Sequence, residues 1–139
     1  MLKDTENSMK IIKTVIVAAM ASTIATASFA NEMPTETKGL APVPLHVLSL
    51  QQQIPVMAGY ALRSRQVALA PGGSIKKHSH ADRPGFLYVL EGELTEYKDG
   101  TSTVVRAGDS WIETRDTVHG VRNNSDKPVV VIVIDIIKE

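Results

Sequence analysis

The sequence predicts an all-β fold, a sandwich or a barrel, for residues 45–139. Turn signals recur about every 8 to 12 residues after residue 45, and no helical period of apolar residues appears there. The segments between the turns are rich in β-branched residues, which favour strands. Short strands at even spacing are typical of antiparallel sandwiches and barrels.

The strands themselves are predicted from the segments between turns. In chain order these are LHVLSL, YALRSRQVALA, FLYVLEGELTEYK, TSTVVRA, SWIE and VVVIVIDII. A turn at Pro71–Gly73 ends the second segment, and Asp99-Gly100 is a strong hairpin signal because its left-handed turn matches strand twist. The segment VVVIVIDII is too short to cross a membrane and predicts a core strand that is buried on both faces.

Residues 1–30 have the pattern of a signal peptide. Lys10 and Lys13 precede a mostly apolar run at residues 14–24, and the small residues of "SFA" end the segment. The apolar run is shorter than the ~20 residues that span a bilayer, so we expect cleavage rather than a stable membrane anchor. Acidic residues precede Met9, which is therefore an alternative translation start. These features predict a secreted or periplasmic protein.

The segment after residue 30 differs from the rest of the chain. Residues 31–44, "NEMPTETKGLAPVP", hold three prolines and predict a flexible or extended arm before a barrel at 45–139. Without residues 1–30 the chain has 109 residues, with 12 Lys and Arg against 13 Asp and Glu. This balance excludes the basic footprint of a nucleic-acid binder, and the length suits one domain. The chain has no cysteine, so no disulfide supports the fold.

Two histidines with metal-ligand spacing follow the second strand segment. His78 and His80 point to one face of a strand, roughly 6.6 Å apart, and both can reach a metal at ~2.0–2.1 Å per bond. A facing strand must supply further ligands, and His119 in "TVHGVRNN" is the best candidate. Isolated histidines are more often surface or core residues, and His46, which has no nearby partner, is interpreted as structural.

The spacing of these residues resembles two motifs of the cupins, which are small jelly-roll β-barrels. The first motif, G-x5-H-x-H-x3-4-E-x6-G, is matched by Gly72, His78, His80 and Gly92. The second, G-x5-P-x-G-x2-H-x3-N, is matched by Gly108, His119 and Asn123. The resemblance covers about residues 60–137. It implies a single jelly-roll barrel with a divalent transition metal bound by the three histidines.

The chain departs from those motifs at three positions. Gly85 stands at the glutamate position of the first motif, and Thr114 and Asp116 replace the proline and second glycine of the second. The first change removes a ligand, so the sequence predicts a site of three histidines without a carboxylate. Asp82 shares the parity of the histidine pair and is a candidate fourth ligand, a hydrogen-bond partner of a ligand, or a turn residue.

Besides Asp82, three residues are candidates for contacts with a substrate or with the metal ligands: Arg83, Trp111 and Asn123. Arg83 follows the histidine pair and suits an anionic substrate, although a solvated loop arginine is the simpler interpretation. Trp111 shares a strand face with Glu113 and is either a packing residue or a stacking surface. Asn123 comes from the second motif. Arg63 and Arg65 also share a face, which we expect to be solvated.

Several functions are compatible with a three-histidine site. Neutral imidazoles leave the ion's charge uncompensated, so we expect a small anionic or chelating ligand. With iron, the resemblance to cupin dioxygenases that use three histidines and no acid implies dioxygenase chemistry. With zinc, a bound water of lowered pKa would suit a lyase, isomerase or hydrolase. Imidazole does not choose among Fe, Zn, Mn, Ni and Cu. The alternative is a non-catalytic binding module. The resemblance also implies a homodimer, for which residues 45–50 offer a strand edge.

Overall fold

Strands account for most of residues 32–139, the part of the chain that the structure, a computed structural model, describes. They are β1 (Lys38–Ser49), β2 (Tyr60–Ser79), β3 (Gly85–Glu91), β4 (Glu93–Lys98), β5 (Thr101–Arg106), β6 (Ser110–Glu113), β7 (Val118–Arg122) and β8 (Val129–Lys138), with a 3₁₀ turn at Pro55–Met57. The predicted all-β class is confirmed. Within the same residues there is no helix of the length and apolarity that crossing a bilayer requires.

The eight strands form a nearly closed jelly-roll barrel. Seven lie in the order β5-β4-β7-β2-β8-β3-β6, and β1 pairs with β2 outside this path. All of these pairings are antiparallel. The predicted β4–β5 hairpin turns at Asp99 and Gly100, which both have positive φ, as a two-residue hairpin turn requires.

The long strand β2 joins the two halves of the barrel. Its residues 60–69 pair with β8, and its residues 74–79 pair with β7. The predicted turn at Pro71–Gly73 is instead a bend within this strand, and Gly72 has a φ of 69°. A register shift between Ile75 and His78 places His78 directly opposite His119 on β7. A bulge of this kind redirects the side chains that follow it.

The N-terminal part of the described chain is ordered against the barrel. Residues 38–44, which the proline content predicts as part of an arm, pair with β2 from Lys38 onward. Proline is tolerated here because β1 lies beside one strand only. Before β1, Pro34 is buried and its carbonyl accepts a hydrogen bond from the Lys77 amide. The predicted signal peptide at 1–30 lies outside the described residues.

The core lies inside the barrel and follows the two-residue period of strands. In β8 the alternate residues at positions 129, 131, 133 and 135 are buried, while the residues between them are partly exposed. The prediction that VVVIVIDII is buried on both faces is therefore wrong: one face is buried and the other is partly exposed. The buried apolar residues come from five strands: Val67, Leu69, Leu87, Val89, Leu94, Val121, Val129, Val131 and Val133.

Gly85 is fixed by close packing between β3 and β8. A Cβ at this position would lie 2.2 Å from the Ile134 carbonyl oxygen and 2.8 Å from the Asp135 Cα. We expect Gly85→Ala to lower the free energy of unfolding by about 3 kcal/mol, because the backbone of β8 must move.

Urea denaturation measures this effect, and Gly72→Ala is the matched control. Gly72 has a φ of 69°, which L side chains rarely adopt, and a Cβ there would meet no atom within 4 Å. Its substitution should cost only the strain of a left-handed residue, about 1–2 kcal/mol. Equal losses in the two variants would contradict the packing argument.

Candidate metal centre

Three imidazole rings converge at one end of the barrel interior. His78 lies at the end of β2, His80 directly follows that strand, and His119 comes from β7. The Nε2 atoms of His78 and His80 lie 2.9 Å apart, and those of His80 and His119 lie 3.0 Å apart. His80 and His119 are buried, with 2% and 1% of their surface exposed. The structure therefore brings together the three histidines that the motif spacing predicts.

Each imidazole has an acceptor oxygen close to its Nδ1, the outer nitrogen, which points away from the other two rings. His78 Nδ1 lies 2.9 Å from the Lys76 carbonyl oxygen, and His119 Nδ1 lies 2.7 Å from a carboxylate oxygen of Glu96. His80 Nδ1 is 3.4 Å from the Arg83 carbonyl oxygen. Because all these partners accept, the proton of each neutral ring is assigned to Nδ1.

This tautomer leaves three Nε2 lone pairs facing one another. Lone pairs at 2.9–3.0 Å repel unless a cation or a proton lies between them. Two nitrogens bound at ~2.0–2.1 Å to one ion, at a right angle, would lie about 2.9 Å apart. The three histidines thus have the spacing, the exposed lone pairs and the outer hydrogen bonds of a ligand set for one divalent ion.

The electrostatics of the site favour the neutral imidazoles that bind metals. Burial, followed by the proximity of His119 and His78, lowers the pKa of His80 to about 4. Burial also lowers the pKa of His78. At neutral pH both rings are therefore uncharged, and a metal that binds at Nε2 displaces no proton from that nitrogen.

A carboxylate lies beside the histidines. Glu113, at the end of β6, is 3% exposed; its Oε1 is 3.6 Å from His119 Nε2 and its Oε2 is 3.2 Å from His80 Nδ1. The second contact lacks hydrogen-bond geometry, and Oε2 has no hydrogen-bond partner. Burial raises the pKa of Glu113, against the lowering effect of His119 and two arginines.

The histidines and Glu113 line an apolar cavity of about 320 Å³ within the barrel. Its walls are mostly core side chains from β2, β3, β7 and β8, with Trp111 from β6. Three cationic side chains also line it: Arg65, Lys76 and Arg83. A volume of this size suits a small molecule.

Comparison with known proteins identifies the fold. The model of the cupin domain family matches residues 65–135, which include the three histidines and Glu113. The chain belongs to the cupin domain family. The predicted resemblance is thereby confirmed. None of the curated proteins compared with the chain matches it.

Solved cupin structures resemble the whole barrel. The cupin domain of an XRE family transcriptional regulator from Enterobacter cloacae has a TM-score of 0.55 and 20% identity, over 70% of this chain and 96% of that one. The polyketide cyclase RemF from Streptomyces resistomycificus has a TM-score of 0.58 and 20% identity, over 73% and 67%. A recombinant oxalate oxidase in complex with glycolate has a TM-score of 0.53 and 24% identity, over 76% and 53%. At these identities they share the fold with this cupin.

The other predicted site residues lie in different surroundings. Asp82 is exposed in the turn after β2. Arg83 and Trp111 line the cavity, and the Trp111 Nε1 is buried without a hydrogen-bond partner. Asn123 is fully buried, but its side-chain amide donates to backbone carbonyls, such as that of Leu69, and fastens a turn. His46 is exposed on β1.

Sequence reasoning missed three polar residues in or beside the site. Glu96 and Glu113 come from strands distant in sequence from His78. Arg65, expected on a solvated face, instead lines the cavity and donates to the buried Asp135, which also forms two hydrogen bonds with Arg63. Burial alone would raise the pKa of Asp135, but these arginines hold it below its usual value. Arg65 lies two and four residues before the buried Val67 and Leu69, and so on the same face of β2. This alternation is a signal that could have predicted its position in the barrel interior.

We expect the metal-free protein to lose stability as the pH falls from about 6.5 toward about 4. In this interval the unfolded chain protonates its histidines, whereas folded His80, with its pKa of about 4, stays neutral. The unfolded state then binds more protons, and the free energy of unfolding decreases. Urea denaturation of chelator-treated protein across this range measures the slope.

His80→Gln is the control for this slope. The pKa of Glu113 is raised, so between pH 4.5 and that raised pKa this group changes the free energy of unfolding in the opposite direction. The difference in slope between wild type and variant therefore isolates the contribution of His80. The variant should show a shallower loss. An identical slope in both proteins would contradict the assignment of a neutral, buried His80.

Proposed function

We propose that this cupin binds one divalent transition metal through His78, His80 and His119 and acts as an oxygenase on a small anionic or chelating molecule. The observation that carries the metal site is the convergence of three Nε2 lone pairs at 2.9–3.0 Å, with each Nδ1 turned toward an acceptor. Without a cation between them, three acceptor nitrogens at this distance repel one another.

The polar groups of the cavity support the class of ligand. Among residues 32–139, three buried side-chain polar atoms lack a hydrogen-bond partner: Arg65 Nε, Trp111 Nε1 and Glu113 Oε2. All three residues line the cavity that the histidines face. Two of these atoms are N–H donors, and a buried donor without a partner costs about 1–3 kcal/mol. A ligand oxygen, such as that of a carboxylate or an enolate, would satisfy them.

The two donors belong to a row of side chains along the cavity wall, and the composition of this row indicates the shape and polarity of the ligand. Arg65, Val133, Leu87 and Trp111 are successive cross-strand partners on β2, β8, β3 and β6, and all line the cavity. The donors are therefore at the ends of the row, and its middle is apolar. This arrangement suits a small molecule with an oxygen function on a hydrocarbon body.

The metal decides which chemistry the site supports. Bound iron would supply the redox chemistry of an oxygenase, and bound zinc would supply Lewis acidity for a lyase, isomerase or hydrolase. The proteins named above as a polyketide cyclase and as an oxalate oxidase in complex with glycolate show that barrels of this fold serve several functions. The second candidate is a non-catalytic binder, which the apolar cavity also suits.

We expect tag-free protein to contain about one equivalent of a transition metal, and His119→Ala to contain none. The buried His119 supplies one of three nitrogens, and two remaining imidazoles bind far more weakly. Mass spectrometry of the metal content measures this, with the exposed His46→Ala as the matched control. Iron would support the oxygenase and zinc the Lewis-acid alternative. A wild-type protein without metal after reconstitution with Fe²⁺ and Zn²⁺ would falsify the metal site.

We expect the iron-loaded protein to consume dioxygen with a small diketone or catechol, and Arg65→Met to raise KM more than it lowers kcat. Arg65 Nε would donate a hydrogen bond to the ligand. Arg65 is also distant in sequence from the histidines. An oxygen electrode measures turnover, and Lys38→Met, a change at an exposed site, is the control. Ligand-dependent melting without oxygen uptake would instead favour the binder.

The secreted location and the homodimer stay predictions. The first depends on residues 1–30, outside the described part of the chain. The second gains support from the exposed apolar side chains of β1, including Val43 at 51% and Val47 at 63% exposure.

A further inference from the structure

Two arginines share one buried carboxylate inside the barrel, and they share it unequally. Arg63 binds both oxygens of Asp135, with its Nε 2.9 Å from Oδ1 and its Nη2 2.7 Å from Oδ2. Arg65 reaches the same carboxylate with Nη2 alone, 2.9 Å from Oδ2, and its Nε is buried without a hydrogen-bond partner. The guanidinium edge that Arg63 uses as a two-pronged fork is therefore only half occupied on Arg65.

The register of β2 against β8 explains this difference. Arg63 lies directly opposite Asp135, whereas Arg65 lies opposite Val133, two residues away on each strand. Arg63 therefore faces the carboxylate as its cross-strand partner, and Arg65 reaches it diagonally. Arg65 also lines the cavity, so its unused Nε–H is available to a ligand there.

The charge of Arg65 is compensated only in part. Two guanidiniums and one carboxylate leave a net positive charge in the barrel interior. Hydrogen bonding to Asp135 raises the pKa of Arg63, whereas burial lowers the pKa of Arg65 despite the same carboxylate. Among the described residues, Arg65 forms its ion pair with Asp135 and not with Glu113, the carboxylate that lines the cavity. A buried cation with an unpaired donor favours an anionic partner.

From this arrangement we propose that Arg63 and Asp135 are positioning residues, which hold Arg65 as a preformed site for the carboxylate group of the cavity ligand. Because Arg63 occupies both oxygens of Asp135, Arg65 keeps its Nε for the ligand. This role rests on the proposed function and narrows its ligand class to carboxylates whose charged group binds at Arg65. The hydrocarbon body of such a ligand would lie along the apolar wall formed by Val133 and Leu87.

A purely structural role leaves the arrangement of Arg65 unexplained. The fork from Arg63 already meets both oxygens of Asp135, so a second guanidinium is not needed to pair that carboxylate. The unpartnered Nε of Arg65 instead costs about 1–3 kcal/mol. Without the fork of Arg63, Oδ1 of Asp135 would be free, and Arg65 could bind the carboxylate with both Nε and Nη2. Its donor would then be lost to the cavity.

The test is the binding of cyclohexanecarboxylate to the metal-free protein, with the uncharged amide of the same compound as the matched probe. Trp111 is the only tryptophan of the chain and lines the cavity, so its fluorescence reports binding there. We expect the carboxylate to bind more tightly than the amide. Arg65→Met should weaken carboxylate binding at least about 10-fold, because a charge-assisted hydrogen bond is lost.

Arg63→Lys separates the position of the charge from the charge itself. Lysine keeps the charge but cannot form the planar fork, so Arg65 should turn to Asp135 and carboxylate binding should weaken about 10-fold. The double variant Arg63→Lys/Arg65→Met should bind as weakly as Arg65→Met alone, because Arg63 acts through Arg65. The control is Arg106→Lys, at an exposed site where Arg106 pairs with Glu93, and it should bind like wild type.

Three results would overturn the positioning role. They are an Arg63→Lys variant that binds the carboxylate like wild type, losses that add up in the double variant, and a wild-type protein that binds the carboxylate no more tightly than the amide. Arg63 is partly exposed, and urea denaturation verifies that each variant is folded during the titration. The titration contains no metal, so its failure is distinct from that of the proposed function. Lack of bound metal or of oxygen uptake would overturn the oxygenase and leave the carboxylate site at Arg65 standing.

Discussion

The direction of three imidazole lone pairs is the constraint on which the rest of the site depends. The Nδ1 of each ring faces an acceptor: the Lys76 carbonyl for His78, the Arg83 carbonyl for His80 and the Glu96 carboxylate for His119. The outer hydrogen bonds fix the tautomers, and the tautomers determine what can lie between the rings. A cation stabilises this arrangement, whereas a proton added to an inner nitrogen would turn that ring into a buried imidazolium.

The backbone of β2 makes this convergence possible. One strand supplies His78 and His80, and it must leave its pairing with β8 to pair with β7 before reaching them. The register shift after Ile75 sets His78 opposite His119. A slip of one residue would turn the histidines to the other face of the sheet, so the same irregularity that bends the strand also builds the site.

The barrel interior contains two kinds of buried polar group, and they differ in how well they are satisfied. The Arg63, Arg65 and Asp135 cluster pairs its charges within the protein, and so it stabilises the β2–β8 junction. By contrast, Glu113 Oε2, the indole N–H of Trp111 and the Nε of Arg65 are left without hydrogen-bond partners. Unsatisfied buried groups of this kind lower stability and are concentrated at binding sites, where a ligand completes them. Here they lie around one apolar cavity of a cupin barrel.

The sequence by itself determined most of the strands, the hairpin at Asp99-Gly100 and the three histidines, because each depends on neighbours close in the chain or on fixed motif spacing. It did not determine the full lengths of β1 and β2. Arg63 and Arg65 share the strand parity of the buried Val67 and Leu69, which favours an inward position. Their charge favoured a solvated face, and that was the prediction. Only the buried Asp135, 70 residues or more away, reverses that expectation.

Tertiary structure alone decided which carboxylate meets the histidines. Asp82, the candidate closest in sequence, is carried away by the turn after β2, whereas Glu113 is brought in by the pairing of β6 with β3. Glu96 likewise reaches His119 through the pairing of β4 with β7. These contacts depend on strand order and register, which barrel closure fixes over long distances, and no local pattern in the chain encodes them.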